Sequence, residues 1–216
     1  MLYNLYMPSK NHYIAIAGIM GSGKSTAAKI LAEEFGFHLI KEKPQNNPFL
    51  KPFYQDMPRW ALHVQLSYLF NKIKELEEEK INFETKNVIE DTPIEVSREI
   101  YAKAQVRFGN MTDKEHELYC DIYDSNRSHI PSPDLVIIID APADLIMRQI
   151  NMRARGYESA VDKDYINTLI SFQRRWMNSY PDDKKLIINK HNFDLKNKEG
   201  RQRFLGMVKD KISAMR

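Results

Sequence analysis

The 216-residue chain has a single cysteine, Cys120, so it can close no internal disulfide, which fits a reducing compartment. It has no apolar run near the roughly 20 residues that a membrane span needs. The opening residues, MLYNLYMPSKNHY, lack the basic stretch followed by an apolar segment that marks a secretory signal. The expectation is a soluble cytoplasmic protein with no membrane partner. Charge of one sign is scarce as well: the formal net charge is only +3, spread along the chain. A nucleic-acid partner normally calls for a basic stripe, so none is expected. There is no internal repeat and no low-complexity segment. What is present is 43% apolar and 28% charged residues, enough for one packed domain over residues 1–216.

Short apolar runs alternate with helical patterns. Strands are expected at Tyr13 to Ile19, Phe37 to Ile40, Asn87 to Ile89, Leu135 to Ile139 and Lys185 to Ile188. Helical periodicity runs from Lys24 to Phe35, Trp60 to Lys80, Ile94 to Val106, Lys114 to Tyr123, Ala143 to Arg153, Asp164 to Tyr180 and Gln202 to Ile212. Pro44, Pro48, Pro52 and Pro58 break regular structure between the second strand and the long helix. This alternation predicts an α/β fold: a parallel five-stranded sheet of the P-loop NTPase type, flanked by helices on both faces.

The segment Gly18-Ile-Met-Gly-Ser-Gly-Lys-Ser25 satisfies the pattern G-x-x-x-x-G-K-[ST] after a strand and at the start of a helix. Glycines let the backbone curl so that successive N–H groups face phosphate oxygens. Lys24 then places a point charge on the β and γ phosphates, the Ser25 hydroxyl ligates magnesium, and the following helix adds its positive end. The nucleotide-binding set is Gly18, Met20, Gly21, Ser22, Gly23, Lys24, Ser25 and Thr26, with ATP and Mg2+ as its ligands.

Beyond that loop the sequence resembles the deoxynucleoside kinase family, in length its bacterial deoxyadenosine and deoxyguanosine kinases. The resemblance runs from about Tyr13 to Ile212. It is carried by Glu42-x-x-x-x-Asn47-Pro48-Phe49-Leu50, Phe53 to Trp60 with Gln65, Asp91 to Ala102, Pro133 to Asp140, and Arg153-x-Arg155-x-x-Glu158 with Asp164-Tyr165-Ile166. It implies transfer of the γ-phosphoryl of ATP to the 5′-hydroxyl of a deoxynucleoside, with purine ones expected as substrates on similarity and length, in nucleotide salvage. Glu42 would be the base that accepts the hydroxyl proton, as phosphoryl transfer needs positioning, charge neutralisation and one oriented base. Tyr54 and Glu158 would bind the sugar 3′-hydroxyl, Gln65 the nucleobase edge, and Trp60 or Phe108 would wall the base. Arg153 and Arg155 would fold over the phosphates from a lid at about 153–163. Asp91 would orient magnesium with Ser25. A homodimer through the long helices follows family habit.

Three positions depart from the family pattern. The acid-Arg-Ser/Thr triplet reads Asp91-Thr92-Pro93, an arginine one turn before Arg153 is Gln149, and the base-reading arginine and aspartate are Lys72 and Ser97. Lysine and serine cannot reproduce the bidentate fork of an Arg–Asp pair. Two other functions fit the loop: a nucleoside monophosphate kinase, which has no need of a carboxylate base at Glu42, and a nucleotide-binding subunit without catalysis, suggested by Thr92 and Gln149.

Overall fold

A computed structural model describes residues 11–153, 155–190 and 194–215. The expected domain, 1–216, therefore has both ends outside the described residues, and Ala154 of the expected lid also lies outside them. Five strands form one parallel sheet in the order β2-β3-β1-β4-β5: β1 Tyr13–Ala17, β2 His38–Ile40, β3 Val88–Asp91, β4 Leu135–Asp140 and β5 Lys185–Asn189. β1 and β4 are buried along their whole length, as uninterrupted apolar runs in a doubly covered parallel sheet should be. Alternate residues of β1 divide the core. Tyr13, Ala15 and Ala17 face one cluster, while Ile14 and Ile16 join Leu31 of α1 (Lys24–Phe35) and Phe204 in the other. The helices α2 (Leu50–Gln55), α3 (Met57–Glu78) and α4 (Lys80–Thr85) precede β3. The chain then runs through α5 (Ile94–Val96), a π-helical segment (Ser97–Ala102), α6 (Lys103–Arg107) and α7 (Asp113–Arg127), so the expected helix over Ile94 to Val106 is split in three. The remaining helices are α8 (Ala143–Arg153), α9 (Lys163–Ser179) and α10 (Lys198–Ser213), with a 3-10 turn at Gly156–Ala160. Phe53, Leu69 and Leu76 of α2 and α3 pack with Tyr119 of α7 in a third apolar cluster beside the sheet.

Local chemistry explains most boundaries. Asp56 caps α3 by accepting from the Arg59 N–H at 3.2 Å, and Asp162 caps α9 through the Tyr165 N–H at 2.7 Å. Thr112 and Glu115 form a reciprocal capping box at the start of α7. The proline-broken stretch nevertheless contains α2. Pro52 falls in its first turn, where the amide it lacks would have had no intrahelical partner. The carboxyl ends of all five strands lie along one edge of the sheet, the edge at which open α/β sheets bind ligands. Among the described residues, no helix is long and apolar enough to cross a membrane.

Candidate active site

The loop after β1 is shaped by its glycines. Gly21 and Gly23 take left-handed backbone angles, with φ of 73° and 93°. A Cβ on Gly18 would lie 2.5 Å from the Ser22 hydroxyl, so that position has no room for a side chain. The loop is tied by the Ser22 N–H donating to the Ile19 carbonyl at 3.1 Å and by the Met20 N–H donating to the Tyr101 hydroxyl oxygen at 2.7 Å. Tyr101 comes from the π-helical segment, whose wider turn sits against the loop. Lys24 opens α1 and is buried, and its ammonium lies 3.6 Å from a Glu42 carboxylate oxygen. Ser25 and Thr26 follow at the exposed start of the helix.

Glu42 stands two residues beyond β2, half-buried. Asp91 ends β3, close to the Ser25 side chain. Burial holds the Asp91 carboxyl above the ordinary aspartate range; the Lys24 ammonium and the Ser25 hydroxyl oppose this, and the Glu42 charge adds to it. A hydroxyl and a carboxylate side by side at the edge of a phosphate loop are hard oxygen donors, and they fit Mg2+. The next residue, Thr92, has φ of 71°, unusual for a β-branched side chain. Its N–H donates to the Ile16 carbonyl at 3.1 Å and its hydroxyl donates to Asp91 at 3.3 Å.

Next to the loop lies a cavity that opens to solvent. Met20, Lys24, Glu42, Tyr54, Gln65, Arg153, Arg155 and Glu158 all line it, together with Tyr68, Tyr101 and Tyr165. Asn47 fixes the chain between β2 and α3: its amide donates to the Val64 carbonyl at 2.9 Å and its oxygen accepts from the Phe49 N–H at 3.0 Å. That clamp sets Tyr54 and Gln65 against the cavity from two different helices. Gln65 is 4% exposed and its side-chain oxygen has no hydrogen-bond partner among the described residues. Such a buried acceptor costs stability until a ligand donates to it. Tyr54 stacks on Tyr157 at 5.7 Å, and burial raises its hydroxyl pKa well above the usual value.

Glu158 is buried and grips Arg153 bidentately, at 2.8 and 2.5 Å, while Arg155 lies 3.7 Å from the same carboxylate. Thus the 3-10 turn bends the residues expected in the lid back over the cavity. Trp60 is not among the lining residues; its ring stacks on Phe49 at 5.7 Å with Arg59 above it, on the outer side of α3. Phe108 stacks on Tyr165, 5.4 Å away, and touches the cavity only through that ring. Ser97 lines the cavity, whereas Lys72 borders the adjoining groove and is committed to Glu75 at 2.9 Å and Glu90 at 3.1 Å. From the sequence Tyr68 carries no distinguishing mark, and Tyr165 stands only within the block Asp164-Tyr165-Ile166, with no role assigned. Their positions on apolar helical faces give the same signal as core aromatics.

The profile of the family described as deoxynucleoside kinase matches residues 14–213. The deoxyguanosine kinase of Bacillus subtilis is 32% identical over 161 residues, 74% of this chain and 75% of that protein. The deoxyadenosine/deoxycytidine kinase of the same organism is 29% identical over 193 residues, 88% of each. The solved structure of a deoxyadenosine kinase from M. mycoides with bound dCTP superposes with a TM-score of 0.79 at 22% identity, covering 93% of this chain and 98% of that one, a likeness of fold. With its phosphate loop, parallel sheet and edge cavity in this arrangement, the chain belongs to the deoxynucleoside kinase family.

Proposed function

We propose that the protein transfers the γ-phosphoryl of ATP to the 5′-hydroxyl of a purine deoxynucleoside, as a cytoplasmic, homodimeric enzyme of nucleotide salvage. One observation carries this reading. The lysine that would hold the γ-phosphate and a carboxylate able to take a proton meet at 3.6 Å on the wall of the cleft beside the phosphate loop. In the proposed step Glu42 accepts the proton of the 5′-hydroxyl as its oxygen attacks the γ-phosphorus. The bond to the β–γ bridging oxygen breaks, and ADP leaves. Inward N–H groups from Gly18 to Thr26 and the Lys24 ammonium hold the phosphates. Arg153 and Arg155, from a lid over 153–163, offset the negative charge spread in the transition state. Mg2+ held at Ser25 and Asp91 would neutralise charge between the β and γ phosphates.

Tyr54 and Glu158 are assigned to the sugar 3′-hydroxyl, and Gln65 to the base. The unpartnered Gln65 oxygen calls for a donor, and its amide N–H2 for an acceptor beside it. An exocyclic amine next to a ring nitrogen meets both demands. The relative named for deoxyguanosine supports the purine preference, and the one named for deoxyadenosine and deoxycytidine pairs a purine with a pyrimidine. The test is ADP release with ATP and a panel of the four deoxynucleosides and their 5′-monophosphates. Deoxyadenosine or deoxyguanosine should give the fastest release, with the 5′-monophosphate as product. Release stimulated only by monophosphates would overturn the proposal.

A further inference from the structure

The phosphate loop is gripped from its outer side as well as shaped from within. Lys190, just past β5, donates from its ammonium to the Ser22 carbonyl at 2.6 Å, across 168 positions of sequence. Gln149 of α8 lies beside it. With the amide oriented to suit both neighbours, its nitrogen donates to the Gly21 carbonyl at 2.9 Å and its oxygen accepts from Lys190 at 3.0 Å. Two successive loop carbonyls are therefore held outward by side chains from two different elements. A Cβ on Gly23 would lie 2.3 Å from the Lys190 nitrogen, so the ammonium approaches the backbone where only glycine leaves it room.

In a trans peptide the carbonyl of one residue and the N–H of the next point in opposite directions. Fixing the Ser22 carbonyl outward turns the Gly23 N–H inward, toward the face where Lys24 begins. We propose that Lys190, steered by Gln149, is a positioning residue of the phosphate cradle: it sets the Ser22–Gly23 peptide for the donor nucleotide and places a positive charge behind it. The ammonium is partly desolvated. Burial lowers its pKa, Lys196 acts in the same direction, and Asp194 opposes them. Such a charge acts more strongly at short range than one in water.

This inference rests on the cradle binding ATP, and its test needs no phosphoryl acceptor, so it can fail separately from the kinase reading. ATP affinity is measured by titration calorimetry on the full chain and on Lys190→Met, Lys190→Arg and Gln149→Leu. Lys190→Met should weaken ATP binding about tenfold, as the loss of one charge-assisted hydrogen bond would. Lys190→Arg should restore most of it, and Gln149→Leu should cost two- to threefold (about 0.4 to 0.65 kcal/mol). In steady-state assays the KM for ATP should rise while the KM for the acceptor stays put. ATP affinity within twofold of the parent in Lys190→Met, with only the melting temperature lowered, would overturn the proposal. Should that variant fail to fold, unchanged ATP affinity in Gln149→Leu would do the same.

Discussion

The two halves of the site are built differently. The phosphate side is one continuous loop braced by strand ends: Gly18 to Ser25 follows β1, Asp91 ends β3, and the Lys190 ammonium closes the back. The acceptor side is gathered from five separate places, with Glu42 after β2, Tyr54 in α2, Gln65 in α3, Ser97 in the π-helical segment and Glu158 in a 3-10 turn. Backbone geometry does most of the work on the first side, so glycines and two lysines, Lys24 before the phosphates and Lys190 behind the loop, suffice. On the second, side-chain chemistry does the work, and it rests on helices whose own packing must be right first. The phosphate side should thus respond to single substitutions as a switch, and the acceptor side by degrees except at Glu42, the one group there that takes the reacting proton.

Substitutions on both sides test this contrast. Lys24→Met on the phosphate side should lower kcat roughly 10²–10³-fold, as losing one preorganised charged donor does, and steady-state kinetics would read it. A loss under fivefold would mean that other cations replace it. On the acceptor side, Glu158→Gln keeps the shape but loses the charge that holds Arg153. A loss of about tenfold in kcat/KM, about 1.4 kcal/mol, is expected. A loss as large as that of Lys24→Met would erase the contrast.

Two further changes probe the strand end that both sides share. Thr92→Gly relieves a left-handed backbone angle on a β-branched residue and should raise unfolding stability by about 1 kcal/mol in denaturant titration. The smallest effect concerns Asp91. Its folded pKa is raised by burial, so the folded chain binds the proton more tightly than the unfolded one. That contribution is present below the unfolded pKa and is lost as pH rises through the raised folded value. Asp91→Asn should therefore be more stable than the parent near neutral pH, with the gap closing in acid. Melting temperatures from pH 4 to 7 would show it, and a constant gap would refute the assignment.

The sheet and most helices were legible because their signals are local. LVIII over Leu135 to Ile139 admits little but a buried strand, and the apolar residues from Leu62 to Leu76 recur at helical spacing. The phosphate loop was legible for the same reason, being contiguous. What the sequence hid was non-local. The π-helical turn at Ser97 to Ala102 follows from packing against the loop and α9, and α2 was obscured by prolines that in fact suit a helix start. Lys72 matched a base-reading position by register, yet buried Glu90 and half-buried Glu75 claim its ammonium. Lys190 lies 168 residues from its carbonyl partner, and nothing near it in sequence announces the contact.

The most direct test of the account replaces Glu42 with glutamine, which keeps the shape and removes the basic oxygen. Deoxynucleoside-dependent ADP release should fall roughly 10²–10⁴-fold while ATP affinity holds within a few-fold. Undiminished turnover by Glu42→Gln would contradict the pairing of phosphate cradle and carboxylate on which the proposed reaction depends.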